Sequence, residues 1–372
     1  MNDLVGLYVH VPFCSVKCFY CDFTAVAHHG HLAGRYLRAI EAESKLKMPR
    51  SPDTLYVGGG TPSELESDQI RELFAVLRRS YPKMEPTEST FECNPESTTP
   101  EKLAALAEAG VTRLSLGLQT AEDELLRRIG RRHSTRQFVE IFKAARRAGS
   151  FDLSVDLMYN LPGQSLRSFS DSVEFVLGLQ PEHVSIYGLQ VEDQTLFSRR
   201  QVVPDEDAGR AMFELALDRL AEAGFRHYEI SNWAKPGHES KHNMIYWRDG
   251  EYVGLGCGAA SFLDGRRSTN VEKLVDYMSA VEAGRDPVLE SERLRGKEKL
   301  GETLMLGLRL IDGFAPSGPM WQAFEPEIAA LERRGLLQRC GARLKLTRDG
   351  VFVANDVFRE FVPPYAEAVT AS

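Results

Sequence analysis

Short runs of β-branched and aromatic residues alternate with amphipathic stretches of helical period through the first ~225 residues. The runs predict six strands, at Leu4–Val11, Thr54–Val57, Ser89–Cys93, Arg113–Leu118, Leu153–Met158 and His183–Gly188. Helices are predicted near residues 32–47, 64–79, 99–109, 134–148, 166–179 and 206–223. Six such βα units predict a parallel sheet, either doubly wound or an incomplete (β/α) barrel. In both, the loops after the C-terminal strand ends carry the chemistry.

The pattern changes after about residue 225. Aromatic residues and turn formers mix through residues 227–265 without a clean repeat, which predicts a connecting region over residues 226–296. From Lys297 the order becomes a helix, a Pro- and Gly-rich break, a second helix, a strand pair around Gly341 and a final helix. This order predicts a mainly helical, winged-helix-like module over residues 297–372, behind a barrel domain over residues 1–225.

Composition and charge narrow the class of protein. The 372 residues are 43% hydrophobic and 26% charged, as in a globular protein. A net charge of −8, from 45 Lys and Arg against 53 Asp and Glu, is opposite to that of a nucleic-acid binder. Without a membrane span or signal peptide, membrane contact is expected to be indirect at most. Six cysteines are too few for a disulfide scaffold, which favours a reducing cytoplasm.

Three thiols follow the first predicted strand, at Cys14, Cys18 and Cys21. Thiolates suit iron–sulfur clusters, zinc or copper(I). A 4Fe-4S cluster held by three thiolates keeps one iron open for an exogenous ligand, whereas a structural zinc ion would take a fourth ligand from a nearby histidine. The nearby histidines are His28, His29 and His31.

With Tyr20 before its last thiol, the triplet resembles the signature of the radical S-adenosylmethionine superfamily. Most of the chain resembles one branch of it, that of the oxygen-independent coproporphyrinogen III oxidases. The resemblance implies a 4Fe-4S cluster on the three cysteines, whose open iron binds the amino and carboxylate groups of S-adenosylmethionine. An electron from such a cluster can cleave the sulfonium of that cofactor.

Further pieces of the family pattern stand at the ends of successive predicted strands. The resemblance implies that Arg131 clamps the cofactor carboxylate, that Asp156 accepts from the ribose hydroxyls, and that glycines bring the main chain close to the cofactor. The implied cofactor contacts are Tyr8, Tyr20, Gly59, Gly60, Thr61, Glu92, Gln119, Arg131 and Asp156. Each alone is more often an ordinary polar or turn residue, but the ordered set favours the cluster over zinc.

Small departures separate the oxidases of this branch from its heme-chaperone relatives. The oxidases carry a fourth cysteine two places after the third, where this chain has Phe23. They also carry a long segment before the motif, whereas the first cysteine here is residue 14. Both differences favour the heme chaperones.

The run from His242 to Trp247 matches the H-N-x-x-Y-W motif that the family associates with heme. A neutral imidazole is a good axial ligand of heme iron, and Tyr246 and Trp247 offer flat faces to a macrocycle. The alternative is a core histidine packed beside aromatic rings. One departure is Ala260, where the family's glycine-rich segment leads us to expect a histidine.

The sequence therefore predicts a cytoplasmic α/β protein with a partial (β/α)6 TIM-like radical S-adenosylmethionine barrel and a C-terminal winged-helix-like module. We expect it to bind heme at His242 and pass it to apo-hemoproteins, with an electron donor as a further partner and no nucleic acid. One alternative is an oxygen-independent coproporphyrinogen III oxidase, an activity that we do not expect. Another is a zinc-stabilised interaction protein.

Overall fold

The computed structural model describes residues 4–47 and 51–364, and six parallel βα units form its centre. Strands β1 to β6 are Val5–Val11, Thr54–Gly59, Glu88–Cys93, Arg113–Gln119, Asp152–Tyr159 and His183–Gly188. Helices α1 to α6 are Ala33–Leu46, Ser67–Ser80, Pro100–Glu108, Thr135–Ala148, Leu166–Leu179 and Glu206–Glu222. The predicted partial barrel is confirmed, with element ends that differ by a few residues.

Both the strands and the helices follow from local sequence. The strands are buried on both faces, as parallel strands covered by helices are, and therefore read as nearly continuous apolar runs. Several helices begin at a residue whose side chain accepts a hydrogen bond from the backbone of the first turn. These N-cap residues are Thr99, Ser134, Ser165 and Asp205.

Short elements occupy the connections. A two-residue strand pair, Phe13–Cys14 with Val26–Ala27, closes the loop that carries the cysteines. Single 3-10 turns lie at Gly30–Leu32 and Pro62–Glu64, and short helices lie at Asp123–Arg128 and Leu196–Arg199.

The central sheet is open and continues beyond the six units at both edges. A seventh parallel strand, Glu251–Leu255, pairs with β1, and three antiparallel strands follow it at Ala260–Leu263, Arg266–Asn270 and Val288–Glu292. At the other edge Asn232–Ala234 pairs antiparallel with β6, and Arg226–Glu229 lies outermost.

The predicted connecting region thus adds six strands to the barrel sheet, a result that its sequence did not indicate. Strands such as Arg266–Asn270 are short, polar and partly exposed, so they lack the apolar alternation that marks a strand. The same region contains the helices Lys241–Trp247 and Leu274–Glu282. The boundaries at residues 225 and 296 stay predictions.

The C-terminal residues form the predicted order of elements. Helices Gly296–Gly307 and Gly318–Arg333 precede a hairpin of Leu337–Cys340 with Arg343–Leu346, and the helices Arg348–Phe352 and Ala354–Arg359 follow. None of the helices in the described ranges combines the length and the apolar character that crossing a bilayer requires.

Glu43 on α1 joins the barrel to the added strands. Its side chain is fully buried, and its carboxylate accepts from Asn270 Nδ2 and Tyr277 OH at 2.6 Å and from Gly256 N at 2.8 Å. Lys47 Nζ lies 2.9 Å away and supplies the opposite charge. A buried carboxylate whose partners are all in place costs the fold little. Removing it is strongly destabilising, because its partners then stay buried without an acceptor.

Replacing Glu43 with alanine should lower the free energy of unfolding by about 3–5 kcal/mol, because it leaves the Lys47 charge and three donors without their acceptor. Urea unfolding followed by circular dichroism measures this loss. The matched control is Glu41→Ala on the same helix, where a partly exposed ion pair with Arg79 is worth at most about 1 kcal/mol. Equal losses in the two variants would contradict the role given to Glu43.

Candidate functional site

A cavity of about 890 Å³ opens at the C-terminal ends of the parallel strands. All three cysteines of the motif line it, together with eight of the nine implied cofactor contacts. Those eight are Tyr20, Gly59, Gly60, Thr61, Glu92, Gln119, Arg131 and Asp156. Residues separated by more than a hundred positions in sequence therefore share one site, because parallel strands present their C-terminal ends at one edge.

The cysteine loop is fastened to the barrel through Phe19. The amide of Phe19 donates to Ile129 O at 3.0 Å, and its carbonyl accepts from Phe197 N at 3.0 Å. Its ring packs on Phe197 and against Gly130, where a Cβ atom would come within 2.8 Å of it. These contacts hold the three thiols half-buried at the cavity wall.

Three thiolates are the donor set of a 4Fe-4S cube, which takes each of them on a separate iron. In the described part of the chain, no three His, Cys, Asp or Glu side chains lie grouped as the ligands of one metal ion. Burial raises the pKa of Cys21 to about 11, so the thiol is protonated without metal and loses its proton when it ligates.

Arg131 lies buried beside the cysteines with one donor unused. Its Nη2 donates to Asn94 Oδ1 and to Gly117 O at 2.8 Å each, and its Nη1 lies 3.8 Å from Cys18 Sγ. Its Nε is buried without a hydrogen-bond partner among the described residues. A fixed guanidinium with a free N–H fits the carboxylate of a cofactor.

The glycines at the end of β2 are required by close packing. Gly59 has φ +118°, which L side chains rarely adopt. A Cβ on Gly60 would come within 2.9 Å of the Pro12 carbonyl. The next residue, Thr61, contacts the cysteine loop directly, because its Oγ1 lies 3.4 Å from Cys14 Sγ.

Two carboxylates face the cavity from β3 and β5. Glu92 accepts from Tyr56 OH at 2.7 Å and from Gly59 N at 3.1 Å, and burial raises its pKa to about 7. Asp156 accepts from Ser115 Oγ at 3.0 Å, and burial raises its pKa as well. Both groups would hold their negative charge more readily beside a cation, such as a sulfonium or ammonium group.

Gln119 reaches the cavity through an irregularity at the end of β4. The register with β5 shifts between Gly117 and Gln119, and Gln119 takes φ +71°, in the left-handed region. In this conformation the Gln119 side chain lines the cavity.

Two residues that hold this site in place were not predicted from the sequence. Asn94 accepts from Arg131 and donates to Thr61 Oγ1 at 3.1 Å, and Ser115 binds both oxygens of Asp156. Asn94 stands two places after Glu92, and this proximity to a strand end was the one signal for it.

Some sequence-predicted residues are not brought to the cavity. Tyr8 does not line it, and its hydroxyl instead lies 3.1 Å from His10 Nδ1. The three candidate zinc histidines are exposed and do not line it either. Phe23 does line the cavity and is 64% exposed, at the place where the oxidases carry a fourth cysteine.

His242 lies in the core, apart from the cavity. Its Nδ1 lies 2.8 Å from Thr54 Oγ1, at the N-terminal end of β2, and its Nε2 lies 2.7 Å from Tyr246 OH. Its side chain is only 1% exposed, and burial lowers its pKa to about 3, so the ring is neutral. Both ring nitrogens are occupied, so iron ligation by His242 would require this end of the barrel to rearrange.

Models of two protein families match the chain. The model of the radical SAM superfamily matches residues 8–176, and that of the HemN C-terminal domain matches residues 294–353. Three relatives named heme chaperone HemW align over nearly their full length. They come from Bacillus subtilis (35% identical, 95% of this chain and 98% of the relative), Escherichia coli (33%, 96% and 98%) and Mycobacterium tuberculosis (36%, 95% and 94%).

A solved structure shares the fold. The coproporphyrinogen III oxidase HemN from Escherichia coli, described as a radical SAM enzyme, superposes with a TM-score of 0.83 over 97% of this chain and 90% of that one. Its sequence identity is 21%, so the similarity concerns the fold alone.

Replacing His242 with alanine should lower the free energy of unfolding by about 2–4 kcal/mol without any ligand, because it leaves a void and two hydroxyls without partners. Chemical unfolding of the apo-protein measures this loss. His31→Ala, at an exposed histidine, is the control and should change stability by less than about 0.5 kcal/mol. Similar stability of His242→Ala and the parent protein would argue against a structural role for this ring.

The raised pKa of Glu92 predicts a dependence of stability on pH. Between pH 4.5 and about 7 the folded protein keeps a proton that the unfolded chain has released, so the stability of the parent protein relative to Glu92→Gln should fall across this range and level off above it. Urea unfolding of both proteins at several pH values measures the difference. The exposed substitution Glu140→Gln is the control, and a flat difference for Glu92→Gln would contradict the raised pKa.

Proposed function

Because the chain belongs to the HemW family of the radical SAM superfamily, we propose that it is a heme chaperone, which binds heme and passes it to apo-hemoproteins. The observation that carries this proposal is the similarity to HemW proteins over nearly the whole chain, C-terminal module included. Phe23, in place of a fourth cysteine, distinguishes the chain from the oxidase pattern of the same branch.

The cavity supports a resident cluster and its cofactor. Cys14, Cys18 and Cys21 would hold the 4Fe-4S cluster, and a cluster in this position supplies a single electron to the sulfonium of S-adenosylmethionine. Arg131 would bind the cofactor carboxylate through its unused Nε, and Asp156 would accept from the ribose. The other contacts would come from Tyr20, Gly59, Gly60, Thr61, Glu92 and Gln119.

Two features of the setting belong to the proposal. An electron donor would dock near the cysteine loop, because the three thiols are partly exposed there. A reducing cytoplasm would keep these thiols available for the cluster.

A role for His242 on the heme side would require its two hydrogen bonds to open. Tyr8 would act on the cofactor only indirectly, through His10.

The variant Cys18→Ala should lose the visible absorbance of the reconstituted cluster but keep its far-ultraviolet circular dichroism, because a barrel of this size has its own core. Iron and acid-labile sulfide analysis measures the cluster. Cys340→Ala, an exposed cysteine outside the cavity, is the control and should retain both signals. Stoichiometric zinc without sulfide would support the zinc alternative instead.

An anaerobic heme titration of the reconstituted protein, followed by the Soret band, tests the proposed function. We expect saturation near one heme per chain and subsequent transfer of that heme to an apo-hemoprotein such as apomyoglobin. No saturable binding would overturn the proposal. Product formation from coproporphyrinogen III with S-adenosylmethionine under reducing conditions would favour the oxidase.

A further inference from the structure

The cavity extends beyond the residues proposed for the cofactor. Its far side is formed by the end of β6, the residues that follow Arg226–Glu229, and Val351–Asp356 of the C-terminal module. Tyr187 leaves 43% of its side chain exposed there, and Ile230 and Phe352 add apolar surface. This side offers apolar walls and one cation, Arg309, while the Asp356 carboxylate in its lining is paired with Arg359.

Arg309 has no hydrogen-bond or ion-pair partner for its guanidinium within the described ranges, and its Nε is buried. Its backbone is nevertheless fixed, because its carbonyl accepts from Ile230 N at 3.2 Å and Glu229 bridges to the adjacent Leu310. An unpaired buried donor of this kind destabilises a protein unless a ligand accepts its hydrogen bond.

Aromatic contacts hold the guanidinium. Its carbon lies 4.2 Å from the centre of the Trp247 ring and 5.7 Å from that of Phe358. A cation–π contact of this kind involves the ring face and does not use the N–H donors of the guanidinium. Arg309 is therefore positioned by its neighbours while its hydrogen-bonding edge stays unused.

The negative charge of Glu229 attracts Arg309 but forms no ion pair with it. No carboxylate oxygen of the described residues lies within ion-pair distance of the Arg309 guanidinium. Glu229 already accepts from Asn232 Nδ2 and from Ser231 N, and burial raises its pKa. An external carboxylate would thus meet a cation that still has donors to offer.

We propose that Arg309 binds a carboxylate of the ligand in the far side of the cavity, and that this carboxylate is a heme propionate. The inference rests on the proposed function. It places the macrocycle against the apolar wall around Tyr187 and Phe352, rather than at the buried ring of His242. Trp247, from the H-N-x-x-Y-W motif, then serves by stacking on Arg309.

The test compares heme with its dimethyl ester, which keeps the macrocycle and iron but lacks propionate charge. We expect Arg309→Met to weaken heme binding by roughly tenfold or more, since charge-assisted hydrogen bonds are lost, and to leave binding of the ester unchanged. Arg309→Lys should recover part of the affinity, because it keeps the charge without the planar edge. Arg136→Gln, at an 89% exposed arginine on α4, is the control.

A titration with S-adenosylmethionine distinguishes the two sources of a carboxylate. Unchanged cofactor binding by Arg309→Met supports the propionate, whereas a loss confined to the cofactor overturns this assignment. Equal weakening of heme and ester, or no effect on heme, also overturns it while the proposed function stands. If the parent protein binds neither heme nor metal-free protoporphyrin IX, the proposed function and this inference both fail. Circular dichroism of each variant confirms that it is folded.

Discussion

Neighbouring strands of the barrel run in one direction from Val5 to Gly188, and their backbone hydrogen bonds hold them in a common register. Every C-terminal strand end therefore lies at the same edge of the sheet. The cysteine loop, the glycine turn, Glu92 and Asp156 meet there, although their separations in sequence are large. The parallel ladder places the site, and each strand end needs to contribute only one or two side chains.

Two kinds of buried polar group stand out in this protein. Glu43 has all its partners within the chain, and it joins α1 to the strands added at the sheet edge. Arg131 and Arg309 each face the cavity with a buried Nε that no described residue binds. Because unsatisfied buried donors are costly, the two arginines are the positions at which we propose that ligands bind. The two arginines lie on separate sides of one cavity.

The H-N-x-x-Y-W motif shows how one sequence pattern can act in two ways. His242 packs between Thr54 and Tyr246 at the N-terminal end of the barrel, while Trp247 reaches Arg309 on the wall of the cavity. Packing through this motif thus connects the N-terminal end of the barrel to the wall of the cavity. Substituting its histidine would therefore disturb the packing at this end of the barrel.

The sequence by itself determined the six βα units and singled out the three cysteines, because apolar period and residue spacing are local properties that do not depend on neighbouring segments. It also placed most of the implied cofactor contacts at strand ends, and eight of the nine line one cavity in the structure. Only the tertiary structure showed that residues 226–292 extend the sheet at both edges, that His242 is enclosed, and that Arg309 enters the cavity. These results depend on contacts between distant segments, and such contacts leave no periodic mark in a single sequence.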